Sequence, residues 1–234
     1  MSVSDLTSDR GIRSLFLQRC MQYQRFAALL RLSVKYEMAG VHKILVHRVQ
    51  RYYPVEMSDY ECVMEEHGTA AAAAFTSFPH PNQILKLFWE CEIRQCLPIA
   101  FYEATVRGVN SLTSPKPKVF LPRQISTPAL KALAAFNNGY REHVGSVLYS
   151  FCSDCRCKNL LAIEQWLHPV RGDLSLFPLR DVGVKPGVSG LLCESCVGEM
   201  VDAYSAWRLS IWADLPGTFG LPGWRELSKL VVLK

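Results

Sequence analysis

The residues of this chain best suited to chemistry are cysteines. Cys152-Ser-Asp-Cys155-Arg-Cys157 and Cys193-Glu-Ser-Cys196 form two knuckles with residues 158 to 192 between them. Paired CxxC knuckles suit a structural zinc ion, because four thiolates at about 2.3 Å complete its tetrahedral shell. The intervening gap exceeds the roughly 15 to 20 residues of common zinc ribbons, so the spacing is less specific than a ribbon's. The expected ligands are Cys152, Cys155, Cys193 and Cys196, with Cys157 as the substitute on the first knuckle, since CxxC closes the tighter turn. Cys193 and Cys196 fall where a long helix should begin, and its unpaired N–H groups and dipole would stabilise thiolates there. The plain alternative is a set of small buried hydrophobes. A redox dithiol at Cys193-Glu-Ser-Cys196 would need a βαβ setting that the sequence does not offer.

Other chemistry finds little support. There is no Gly-x-Ser-x-Gly elbow, no His-Glu-x-x-His helix and no phosphate-binding Gly-Lys-Ser/Thr loop. Glu65-Glu66-His67 reads as a solvated helix end and His168 as a solvated loop residue. A non-catalytic protein is therefore expected. The 26 Lys and Arg against 21 Asp and Glu leave a net charge of +5, scattered along the chain, which argues against nucleic acid as the main partner. Met1–Arg10 lacks a basic and then apolar leader, and no run approaches the roughly 18 to 20 apolar residues that span a bilayer. The expected location is intracellular, cytoplasmic or nuclear, away from the membrane. With nine cysteines, an odd number, in a chain of 234 residues, metal ligation or reduced thiols fit better than a disulfide framework.

The elements that must position the cysteines read as helices. Phe26, Leu29 and Leu30, then Val41, Ile44, Leu45 and Val49, recur at three and four residues and predict two helices parted near Gly40. Ser58 and Glu61 predict a capping box, and Gly68 a stop. Residues 69–81 read as a connection. Ile84, Leu85, Phe88 and Trp89 predict the next helix, and Leu97-Pro98 opens another that Gly108 ends. Residues 111–125 read as a proline-rich loop, after which Thr127 and Pro128 start a long helix. Residues 168–190 are a second loop. Val197, Met200, Val201, Tyr204, Trp207, Ile211 and Trp212 mark the longest apolar stripe. With no sustained period-two alternation, the fold class is all-α: an irregular multi-helix array with long loops and a cysteine-rich C-terminal region stapled by zinc.

The closing run from Trp207 to Leu227 carries Trp212, Leu215 and Pro216, then Phe219-Gly220-Leu221-Pro222 and Trp224. This string resembles the closing motif of fungal, mainly basidiomycete, BTB/POZ-domain proteins. Residues 29–54 resemble the helix pair that closes the BTB fold, and residues 97–104 its following helical region, in the same order along the chain. The resemblance implies a division into residues 1–25, unmatched; 26–67, a remnant of the BTB closing helices; and 81–234, a helical region with the cysteine knuckles. It also implies that roughly the first hundred residues of a BTB domain are missing, so BTB dimerisation does not carry over. The function it implies is a protein-interaction scaffold or adaptor with an unidentified protein partner. Two alternatives stay open: a zinc-containing nucleic-acid or chromatin-associated module, or a fragment without independent activity. Trp224 is expected to anchor the last helix, and helices 26–38 and 41–53 are expected to show apolar surface.

Overall fold

The computed structural model describes residues 22–67, 74, 79–107, 121–150, 152, 179 and 193–231. The chain is all-α, and no strand occurs among the described residues. The helices are α1 (Tyr23–Lys35), α2 (Ala39–Gln50), α3 (Met57–His67), α4 (Pro81–Glu90), α5 (Leu97–Arg107), α6 (Arg123–Ser150), α7 (Glu194–Thr218) and α8 (Trp224–Leu227). Short 3-10 turns, Arg94–Cys96 and Ser228–Val231, precede α5 and follow α8.

Helix α5 is the centre. Every side chain from Ile99 to Val106 is buried, a pattern that fits a helix enclosed on all sides rather than one at the surface. Around it pack α4, α6 and α7. Phe101 stacks on Phe219 at 4.8 Å and meets Trp89 edge-on, while Tyr102 meets Phe136 edge-on, so aromatic contacts join α4, α5, α6 and the turn after α7. Residues 26 to 60 share this core: Phe26, Leu30, Leu45, Tyr53 and Tyr60 lie in the same buried cluster as Leu85, Phe101 and Trp212. Gln50 donates to Gln95, and Tyr23 donates to the Gln83 carbonyl at 2.9 Å, so α2 and α1 are each tied to the α4–α5 region.

Several boundaries depart from the sequence reading. The break between α1 and α2 falls at Tyr36–Met38, and Gly40 lies inside α2. Glu37 takes the left-handed conformation (φ 52°) that glycine would have signalled. The cost is offset by two bonds: Met38 N–H donates to Ser33 at 2.8 Å and Glu37 N–H to Val34 at 3.2 Å, the paired ending that satisfies orphan carbonyls. Glu92 repeats the device after α4. Helix α3 starts at Met57, so Ser58 is inside it and the expected capping box is absent; a real one forms at α4, where His80 accepts from Asn82 and Gln83 reaches back to the His80 N–H.

Helix α6 begins at Arg123, not Thr127, and Pro128 sits inside it. The start is set by the Pro122 carbonyl, which accepts from Ile125 and Ser126 at 2.9 and 3.0 Å, and by the burial of Leu121 and Ile125. Of the loop expected over 111–125, residues 123–125 therefore belong to the helix. Helix α7 likewise runs through Pro216 to Thr218. It stops at Phe219-Gly220-Leu221, where Gly220 (φ 69°) lets Leu221 N–H reach Pro216 and Gly220 N–H reach Gly217, both at 2.9 Å. Within the connection expected over 69–81, Ala74 is helical and buried, and Pro81 is the first residue of α4. Gly68, Gly108 and His168 lie outside the described residues, as does the 168–190 loop apart from Leu179.

Trp224 folds back as expected: its Nε1 donates to the Trp212 carbonyl at 2.6 Å, and the two rings stack at 5.0 Å. It is only half-buried, so Trp224→Ala should lower unfolding stability by about 2 kcal/mol, below the 3 to 5 typical of a fully buried ring. Denaturant titration measures this; a midpoint equal to the parent's would remove the anchor role.

Candidate metal centre

Cys152 lies two residues beyond the end of α6, and Cys193 and Cys196 open α7. Cys193 is the N-cap, with extended backbone (φ −69°, ψ 158°) and no capping bond from its side chain; Cys196 is three residues on, in the first turn. The CxxC spacing thus places both sulfurs at one helix start, where the backbone N–H groups and the dipole favour negative charge. The Cys152 N–H points at the Cys196 sulfur from 3.4 Å.

The three sulfurs all lie within 4.8 Å of one another, and Cys152 Sγ is 3.9 Å from Cys193 Sγ. That distance matters. Two thiolates on one tetrahedral ion at about 2.3 Å sit roughly 3.8 Å apart, whereas a disulfide needs about 2.0 Å. The group could therefore hold a metal ion. Cys196 is buried while Cys152 and Cys193 are exposed, so the centre would be reached from solvent on one side.

Of the expected ligands, the structure brings together Cys152, Cys193 and Cys196; Cys155 and its substitute Cys157 lie outside the described residues. Of the other described cysteines, Cys62 is exposed on α3, and two are of a different kind. Cys91 and Cys96 are buried in the core, where desolvation pushes the Cys91 thiol up to about 11 and the Cys96 thiol higher still, keeping both protonated and inert.

No family model, curated protein or solved structure matches the chain. What the site does must be argued from its own residues.

Its supporting helix is unusual. From Glu194 to Ala206, Cys196 is the one buried side chain among the described residues; the other side chains α7 buries lie further on, at Arg208, Trp212, Leu215 and Pro216, followed by Phe219 at its C-cap. The apolar stripe expected from Val197 to Trp212 is thus displaced: Val201 is exposed and Tyr204, Trp207 and Ile211 are half-buried. In the sequence Arg208 is a lone charge amid aromatic residues, a residue type that is mostly exposed. It is instead 4% exposed, donating to Glu61 at 2.6 Å and to the Leu179 carbonyl at 2.9 Å. Leu179 in turn donates to the Tyr102 hydroxyl at 3.0 Å, so this one residue of the long loop is fixed between α5 and α7. The detectable signal was spacing, since 208, 212, 215 and 219 recur at four, three and four.

Proposed function

We propose that this chain is a non-catalytic protein-interaction scaffold of the kind its resemblance to fungal BTB/POZ-domain proteins implies, with the far ends of α6 and α7 clamped by zinc. The observation that carries the interaction reading is the outer surface of α1 and the turn after it. Leu29, Leu32, Val34, Tyr36 and Met38 are all exposed there, Leu32 by 44% and Tyr36 by 61%. Clustered large apolar side chains at a surface mark a docking site for another protein. Zinc is the assigned ion because a thiolate-rich site of tetrahedral dimensions suits it, with Cys155, or Cys157 in its place, as the fourth ligand.

The cleft between α6 and α7, about 490 Å³, is lined by Phe136, Trp207 and Ile211 with Glu142 and Asp214, and none of its lining residues is a cysteine or histidine. No helix among the described residues is long and apolar enough to cross a membrane. The nucleic-acid alternative gains nothing from α7, whose stretch from Glu194 to Trp207 carries Glu194, Glu199 and Asp202 and no Lys or Arg.

Light scattering and binding of an environment-sensitive dye test the reading. The chain should bind dye or self-associate, and Leu32→Ser with Tyr36→Ser should reduce both while the helical circular dichroism stays unchanged. A monomer that binds no dye would sink the proposal.

A further inference from the structure

The net charge of this protein has a location. Residues 22–51 hold Arg25, Arg31, Lys35, Lys43, Arg48 and Arg51 against Glu37 alone, a balance of +5. The whole chain has 26 cations and 21 carboxylates, so the remainder holds 20 of each and is neutral. The scatter read along the sequence conceals this, because the excess accumulates singly over α1 and α2 rather than in a run.

On α1 the charge and the exposed apolar residues share a face. Arg25, Leu29, Leu32 and Tyr36 follow one another at four, three and four residues, which lines them up along the helix and its C-cap. All four are exposed, while Phe26, Ala27, Leu30 and Ser33 turn into the core. The Lys35 ammonium lies 5.4 Å from the centre of the Tyr36 ring, placing a cation at the end of the stripe. Arg31 is engaged by Glu90 at 3.0 Å on the side toward α4.

We propose that this face of α1, with Arg25 and Lys35 flanking Leu29, Leu32 and Tyr36, docks an acidic amphipathic helix of a partner protein. The inference rests on the interaction reading above and adds the partner's chemistry. Apolar residues at helical spacing are the anchors by which one helix lies against another, and the flanking cations select a partner whose flanks are Glu or Asp and repel a basic one. An anionic membrane would also meet apolar and basic groups, but an interfacial helix must sink its broad apolar sector into the lipid. That sector of α1, with Phe26 and Leu30, is already committed to the core. The strip left outside is narrow and matches a helix.

The test is selection from a displayed library of amphipathic 18-residue helices with Leu at the anchor positions and random residues at the polar ones, against the full purified chain. Selected peptides should be rich in Glu and Asp, bind at least about tenfold more weakly to Leu32→Ser, and lose affinity for Arg25→Glu with Lys35→Glu. Both are surface substitutions, so circular dichroism should remain that of the parent. Peptides that depend on Leu32 but are neutral or basic would overturn the acidic partner while leaving the docking face standing. Peptides indifferent to Leu32→Ser, or no selected peptide at all, would remove the face itself. Binding to phosphatidylserine vesicles or duplex DNA without any peptide selected would overturn the proposal in favour of those surfaces.

Discussion

Removing the proposed zinc should free one end of the molecule and leave the other intact. The cause is the uneven burial of α7: its second half is locked by Trp212, Leu215 and Phe219, but in its first three turns Cys196 is the one described side chain that is buried. A metal joining Cys152 to Cys193 and Cys196 would supply the attachment that apolar packing does not, and its binding free energy would become local folding free energy. With a chelator, amides from Cys196 to Ala206 should exchange at least about a hundredfold faster, equivalent to roughly 2.7 kcal/mol, while those of α5 keep their protection. Binding requires thiolates, so acidification should release the metal and reproduce the effect. Cys196→Ser should behave as the stripped protein does, and Cys157→Ser should be mild if Cys155 is the fourth ligand. Elemental analysis decides it: folded, reduced protein that has never met chelator and carries far less than one equivalent of zinc has no such centre.

How much of this was legible follows from what each element rests on. Helices α4 and α5 announce themselves because their apolar residues must face a core on most sides, so Ile84, Leu85 and Phe88, and the Leu97-Pro98 start, survive any error of register. Helix ends were read less well. Glycine and proline punctuate helices in a sequence, yet Glu37 and Glu92 occupy left-handed positions and Pro128 and Pro216 lie inside helices. At Glu37 and Glu92 the paired helix-end bonds offset the backbone cost, while Pro128 and Pro216 stand beside the buried Ala129 and Leu215 of their helices, and single-residue propensities carry no record of either.

At the metal centre the spacing of Cys193 and Cys196 was informative because a helix start converts it directly into geometry. The approach of Cys152 was a weaker inference, since it depends on α6 and α7 lying side by side over a separation of 41 residues. Arg208 and the charge of α1 and α2 were missed for a common reason. Both become visible only when positions are projected onto a folded surface: a cation among aromatic residues looks solvated in one dimension, and six cations spread over 30 residues look dilute.

Trp212→Ala should be among the most damaging single substitutions in the C-terminal region. The ring is 7% exposed and stacks on Trp224 at 5.0 Å on one side and on Tyr60, tilted, at 5.4 Å on another. Its Nε1 donates to the Val55 carbonyl at 3.3 Å, joining α7 to the turn before α3. Truncation would remove all three contacts and leave a cavity in a helical core that cannot easily collapse, a cost of about 3 to 5 kcal/mol. That is a large share of the roughly 5 to 15 kcal/mol by which domains are stable. Trp212→Phe keeps most of the ring packing and loses the indole donor, so its cost should be nearer about 1 to 3 kcal/mol. The bond from Trp224 goes to the Trp212 backbone carbonyl and is retained in both variants, so α8 should stay attached while its stacking partner is lost. Urea midpoints should therefore fall in the order parent, Trp212→Phe, Trp212→Ala. A Trp212→Ala protein as stable as Trp212→Phe would show that the ring contacts contribute little and that the Val55 bond alone holds the corner.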